Sequence, residues 1–143
     1  MNVAAILKAK GRVVTTGQPH ASLQDIARLL ADKRICAVVI VDGQGSVAGI
    51  VSERDVVRAI ASRGSDCLSE PAYSIMTKDV ISCTPEDRLD KIMSVMTAGR
   101  FRHVPVVEAG QLVGIISIGD VVKNHIAEVE LEANSLKSYV LAG

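Results

Sequence analysis

The sequence predicts an α+β protein made of two copies of one β-α-β-β-α unit, and three observations carry that expectation. A nine-residue segment is written twice, Gly49-Ile50-Val51-Ser52-Glu53-Arg54-Asp55-Val56-Val57 returning as Gly114-Ile115-Ile116-Ser117-Ile118-Gly119-Asp120-Val121-Val122. The surroundings repeat in register, at an offset of 66 residues up to a turn and 65 beyond it. Val14 thus matches Val80, Pro19 matches Pro85, Leu23 matches Leu89, Ile26 matches Ile92 and Arg34 matches Arg100. The residue lost from the second copy falls in a turn, where chains tolerate deletions. Third, hydrophobic residues make up 48% of the 143 and aromatic ones only 2%, so the two units must share an aliphatic core. Internal repetition of this length marks a supersecondary unit used twice.

The elements follow in order. Residues 3–8 form a short helix with one apolar face, stopping near Gly11. Residues 13–16 read as a strand and Gly17-Gln18-Pro19 as a loop. Ser22 caps a helix whose Leu23, Ile26, Ala27, Leu29 and Leu30 recur at helical spacing. The run Ala37-Val38-Val39-Ile40-Val41 is a strand, Asp42-Gly43-Gln44-Gly45 a hairpin turn, and residues 47–51 the returning strand. A helix from Arg54 is expected to carry Val57 and Ile60 inward. Residues 62–71 are polar with one glycine and read as a linker, after which the pattern begins again. The expected divisions are 1–63 for the first repeat with its N-terminal helix, 64–73 for the linker, 74–127 for the second repeat and 128–143 for a helical extension. A half of about 50 ordered residues buries too little surface to be secure alone, so the halves should pack on each other.

An apolar β-branched run ending in Ser-x-x-Asp reads as a strand passing directly into a helix. The serine stands at the N-cap and the aspartate in the first turn. Two readings of that junction stay open. As a capping box it stabilises its helix by about 1 kcal/mol. As a binding site it offers unpaired backbone N–H groups and the positive end of a helix dipole to a phosphate.

Composition excludes several classes. Sixteen basic residues balance sixteen acidic ones, which leaves no basic face for nucleic acid, and the missing aromatics remove base-stacking platforms. No stretch has the length of a membrane span, and the first residues lack the pattern of a signal peptide. Cys36, Cys67 and Cys83 are odd in number and widely spaced, so neither a disulfide framework nor a zinc site is expected and a reducing cytoplasm is the default. Cys67, in its polar stretch, is either a reactive thiol or a passive loop residue. His20, His103 and His125 share no spacing with a nucleophile, and no phosphate-binding loop, metal-ligand cluster or nucleophile elbow appears. No catalytic residue and no metal ligand is therefore assigned, and an enzyme is not expected.

Two β-α-β-β-α copies, each closing on Gly-Ile-(Val/Ile)-Ser-x-x-Asp, resemble a pair of CBS domains, also called a Bateman module. Ile75-Met76-Thr77 and Arg102-His103-Val104-Pro105-Val106 match the same pattern, and the likeness covers residues 3–132. It looks like the small stand-alone type. The resemblance implies a pseudo-two-fold disc with two clefts between the copies, holding an adenosyl ligand such as AMP, ADP, ATP, NAD or S-adenosylmethionine, with no cofactor required. It implies that Asp55 and Asp120 bind the ribose diol and that Ser52 and Ser117 reach the phosphate. It further implies that each cleft borrows from the other copy: Arg12, Val13, Cys36 and Ala37 would face Ser117 and Asp120, while Lys78, Val80, Arg102 and His103 would face Ser52 and Asp55. Arg102 can serve either phosphate. Arg54 is a possible phosphate partner that its counterpart Gly119 lacks, so the clefts should differ.

The function expected is a cytoplasmic regulatory module that binds an adenine nucleotide and passes its state to an unknown partner. The alternative is a protein-interaction scaffold whose clefts are vestigial. The resemblance also implies a homodimer. Residues 121–141 contain no glycine or proline, and Val122, Ile126, Val129, Ala133, Leu136 and Val140 recur at intervals of 4, 3, 4, 3 and 4. Such a seam either joins two chains or folds back over the chain's own Val3, Ile6 and Leu7, with Asn134-Ser135 as the break.

Overall fold

The computed structural model describes residues 1–142. Helix α1 (Val3–Lys10) leads to a short strand β1 (Thr16–Gly17), helix α2 (Leu23–Lys33), strands β2 (Ala37–Val41) and β3 (Val47–Ser52), and helix α3 (Glu53–Arg63). Two 3-10 turns, Ser65–Ser69 and Ala72–Ser74, connect the copies. The second copy supplies helix α4 (Leu89–Gly99), strands β4 (His103–Glu108) and β5 (Gln111–Ser117), and helix α5 (Ile118–Ala142). The class is α+β, as expected.

Strands β2 and β3 form an antiparallel hairpin, and so do β4 and β5, each with a bulge at the matched positions Ile40/Val41 and Val106/Val107. The turns differ as the offset implied. Val41 pairs with Val47 across a long turn held by Asp42, whereas Glu108 pairs with Gln111 across Ala109-Gly110. Both of those last residues have positive φ, at 52° and 77°, as a two-residue hairpin demands.

The expected entry strands at residues 13–16 and around Val80 are displaced. Pairing begins only where Thr15 O accepts from Val39 N, placing Thr16 and Gly17 beside β2 in parallel, and Cys83 makes the matching single bridge to Val106. Val13 lies outside the sheet and is 95% exposed.

The apolar face of α3 is also rotated from the expectation. The helix starts at Glu53, with Ser52 as its cap, and packing on the first core buries Val56 and Ala59, leaving Val57 64% and Ile60 41% exposed. One residue of phase turns a helix by about 100°.

Three apolar clusters hold the molecule together. Leu23, Ile26, Val38, Ile40, Val51 and Val56 fill the first copy. Leu89, Ile92, Met96, Val104, Val106, Ile116 and Val121 fill the second, joined by Val3, Ile6 and Leu7 of α1. Ala37, Val39 and Ile50, on the opposite face of the first hairpin, meet Val80, Leu112 and Ile115 and so join the copies.

The connecting residues are not a solvated linker. Cys67 and Ala72 are buried in the first core, and Leu23 N–Glu70 O and Ala72 N–Ala21 O hydrogen bonds tie the segment to α2's start. Cys67 is thus a small core residue, not an exposed loop thiol. The same place over the second copy is taken by α1. Gly49 and Gly114 mark this symmetry: an added Cβ would meet Met76 Sδ at 2.6 Å in one copy and Leu7 Cδ2 at 2.6 Å in the other.

Helix α5 runs without interruption through Asn134 and Ser135, so the fold-back does not occur. Val121 is the residue of α5 that enters the core beside Val3, Ile6 and Leu7.

Candidate functional site

Each hairpin ends by delivering a serine to a helix start. Ser52 Oγ accepts from Asp55 N at 3.2 Å, and Asp55 Oδ2 accepts from Ser52 N at 2.8 Å and Ser52 Oγ at 3.0 Å. Ser117 and Asp120 repeat the arrangement at 2.9 to 3.2 Å. The first helical N–H is also taken in both copies, Glu53 N by Cys36 O and Ile118 N by Arg102 O. This leaves the next N–H, of Arg54 in α3 and of Gly119 in α5, without a partner among the described residues.

Both junctions open into one cleft of about 490 Å³ between the copies. Ser52, Glu53, Arg54, Asp55 and Arg58 form one wall. Thr77, Asp79, Val80 and Ile81 form the second, and the segment Arg100 to His103 the third. Ser117, Ile118 and Gly119 complete it, and beside Gly119 a Cβ would meet nothing nearer than Ser117 Oγ at 3.6 Å. Four arginines, at 54, 58, 100 and 102, thus face three acids, Glu53, Asp55 and Asp79. None of the four is in an ion pair among the described residues. Both hydrogen bonds to the Asp55 carboxylate fall on Oδ2, so Oδ1 accepts none among the described residues and keeps its lone pairs.

The Asp120 side differs. Its carboxylate is ion-paired with Lys10 Nζ at 2.5 Å, and the same ammonium donates to Ile115 O at 3.0 Å. The matching carbonyl of the first copy, Ile50 O, accepts instead from the backbone N–H of Thr77 at 2.9 Å. Lys10 therefore replaces a bridge amide and takes the carboxylate as well. Burial raises the pKa of Asp120, but the Lys10 ammonium and the Ser117 donors outweigh it and hold the group below its ordinary value. Burial, then the charge of Lys10, pushes the His103 imidazolium below its ordinary 6.5.

Ser52, Arg54, Asp55, Val80, Arg102, His103, Cys36 and Ser117 of the expected residues line the open cleft. Cys36, expected opposite Asp120, stands instead beside Ser52 and Asp55. Arg12, Val13, Ala37, Lys78 and Asp120 are not among its lining residues. Arg12 lies 3.9 Å from Glu108 and Ala37 is buried between the copies. Thr77 joins the cleft from the Ile75-Met76-Thr77 match, and Arg58, Arg100, Asp79 and Ile81 join it without having been singled out. Only Arg100 carried a signal, its match with Arg34. Lys10 carried none, because nothing in the spacing of α1 says which junction its last turn reaches.

The family model of the CBS domain matches this chain twice, over residues 12–62 and 72–126. A CBS-domain-containing protein from Agrobacterium tumefaciens is 48% identical in sequence, covers 85% of this chain and 91% of its own, and superposes with a TM-score of 0.82. A CBS domain protein from Pyrobaculum aerophilum, complexed with AMP, is 29% identical over 84% of this chain and 89% of its own, with a TM-score of 0.76. The CBS domain pair of protein MJ0100, in complex with 5′-methylthioadenosine and S-adenosyl-L-methionine, is 25% identical over 90% and 98% of the two chains, with a TM-score of 0.80.

Proposed function

This chain belongs to the CBS-domain family, and from that premise we propose that it is a non-catalytic regulatory module which binds an adenine nucleotide in the Asp55 cleft and passes the ligand state to a partner protein. The observation that carries the reading is the pairing, in one cleft, of a half-free carboxylate with four unpaired arginines. Asp55 Oδ1 accepts both ribose hydroxyls. The N–H of Arg54, the Ser52 hydroxyl once it turns from Asp55 Oδ2, and the guanidinium groups of Arg54 and Arg102 donate to phosphate, as charged hydrogen bonds favour. His103, its imidazolium disfavoured by burial, and Val80 and Cys36 border the base. Ser117 and Gly119 admit a longer phosphate chain. The arginines favour AMP, ATP or NAD, whose phosphates they pair with, over S-adenosylmethionine, whose sulfonium cation they repel. Arg12, Val13, Ala37 and Lys78 stay outside this site.

The residue divisions at 1–63, 64–73, 74–127 and 128–143, with α1 given structurally to the second core, belong to the same reading. So do the cytoplasm as compartment, for which the three free thiols are the support, and a homodimer, supported by apolar side chains left exposed on α3 and α5. Among the described residues no helix is long and apolar enough to cross a membrane, and no group of acidic, histidine or cysteine side chains could hold a metal ion.

Calorimetric titration with AMP, ATP, NAD and S-adenosylmethionine tests the reading. Binding of a phosphorylated member, with no turnover, is expected. Silence from the whole panel would leave the capping boxes as the sole role of the serines and aspartates and favour a scaffold.

A further inference from the structure

The two copies hold the same segment in two positions. At the offset of 66 residues, Gly11-Arg12-Val13 matches Thr77-Lys78-Asp79. Thr77 is bridged to the first hairpin, its N–H donating to Ile50 O at 2.9 Å and its carbonyl accepting from Ile50 N at 3.1 Å. Thr77, Asp79, Val80 and Ile81 thereby wall the Asp55 cleft. The matching segment stands off the second hairpin. Gly11 turns it away at φ 97°, in open space, Arg12 lies 3.9 Å from Glu108 in an exposed pair, and Val13 is 95% exposed. Where the bridge would lie, the Lys10 ammonium donates to Ile115 O, the match of Ile50 O, and to the Asp120 carboxylate. The lining of the open cleft accordingly stops at Gly119, one residue short of Asp120.

The segment is anchored on both sides. Val3, Ile6 and Leu7 fix α1 in the second core, and Val14 packs in the cluster that joins the copies. Between those anchors, the Lys10 side chain and residues 11–13 can move without opening a core. We propose that the Asp120 junction is a latent second nucleotide site, latched by Lys10, and that Gly11-Arg12-Val13 is the strap that closes over a ligand there. The ligand's ribose takes the Asp120 carboxylate in exchange for the ammonium. Ile115 O, left without that donor, accepts from the strap backbone as Ile50 O accepts from Thr77. Closure also removes Val13 from water, a gain for an apolar side chain. Because a cation must first leave Asp120, and none holds Asp55, the second site is the weaker and fills after the first. The inference deepens the nucleotide reading and rests on it.

Calorimetry of the full chain with AMP, with hydrogen exchange at residues 11–13, tests it. The unaltered chain should bind one AMP in the Asp55 cleft and a second at least about tenfold more weakly. Lys10→Met, which keeps the apolar stem of the side chain, should tighten the second event by at least about tenfold and leave the first in place. Adding Asp120→Ala should remove the second event again. Adding Val13→Asp to Lys10→Met instead should weaken that event alone, and AMP should slow amide exchange at Arg12 and Val13 of the Lys10→Met protein. No AMP bound by any of these proteins would overturn the nucleotide reading and this inference together. A normal first event with a second that Lys10→Met does not tighten would overturn the latch alone, leaving Lys10 a stabilising ion pair. A second event gained without slowed exchange at residues 11–13 would overturn the strap.

Discussion

Asp55 and Asp120 hold matched places in the two copies, and in both Oδ1 accepts nothing among the described residues, yet an ammonium group sits on Oδ2 of the second alone. Replacing Asp55 by alanine removes a cap and a ribose acceptor together, and the two losses are read separately. Stability should fall by no more than about 2 kcal/mol, while affinity for AMP should fall roughly 10- to 100-fold, the span of about 1.5–3 kcal/mol for charged hydrogen bonds. Melting curves give the first and calorimetry the second; a stability loss with affinity unchanged would reduce Asp55 to a cap. Lys10→Ala should act in the opposite sense on the other side, freeing Asp120 and adding AMP affinity there, seen as a gain in bound AMP per chain. Unchanged binding would show that the ammonium does not compete with ligand. His103 gives a pH test. Its imidazolium is held below its ordinary 6.5 in the folded chain, so below that pH the unfolded chain binds more protons. Stability should therefore fall as pH drops through 6.5 towards the folded value, and His103→Gln should flatten that part of the profile. Denaturant midpoints at successive pH values would show it. The Asp120 contribution has its own window, present above the carboxylate's ordinary 3.8 and lost as pH falls through the depressed value. Much of this site was legible beforehand, because Ser-x-x-Asp at a strand end is a local pattern. Lys10 was not, since its partner is 110 residues away.

At the scale of elements, α2 and α4 end alike, with Arg34 at φ 54° and Arg100 at φ 58° in the left-handed region where a Cβ is disfavoured. Arg34→Gly should relieve that strain and stabilise the fold by up to about 1 kcal/mol, the left-handed cost less the extra entropy of an unfolded glycine. Arg100→Gly should relieve the same strain but weaken nucleotide binding, because only this arginine lines the cleft. Urea unfolding of both proteins, with one AMP titration, separates the effects; equal affinities would remove Arg100 from the site. The order of elements was readable from the doubled pattern, as were α2, both hairpins and the strand-to-helix junctions. What escaped the sequence is what depends on distant packing. The phase of α3 is set by how the helix lies on the first core, which took Val56 and Ala59 in place of Val57 and Ile60. The segment around Cys67 and Ala72 reads as polar, and only its position over the first core buries it. The seam of α5 was visible, but whether Asn134 and Ser135 would break the helix was not, because neither residue is a strong breaker.

At the scale of the whole molecule, the two copies are locked twice. The third apolar cluster joins the back of one hairpin to the other copy, and α1, which precedes the first copy in the chain, completes the core of the second. A ligand in the cleft adds a third tie, so AMP at 100 times its Kd should stabilise the fold by about 2.7 kcal/mol and raise the melting temperature. Tight binding with an unmoved melting temperature would contradict a bridging site. The sharper test of the locking is Ile6→Ala. Ile6 is 1% exposed among second-copy side chains, so losing it should cost about 2–5 kcal/mol. If the copies folded independently, only the second would loosen, and hydrogen exchange would show α4 and β4 losing protection while α2 and β2 kept theirs. The shared cluster of Ala37, Val39 and Ile50 against Val80, Leu112 and Ile115 makes the first copy depend on the second. The expected result is therefore one unfolding transition, shifted equally for probes in both copies. Protection retained by Val38 and Ile40 after that of Val104 and Val106 has gone would show that the clusters open separately, and that a ligand's effect on one copy need not reach the other.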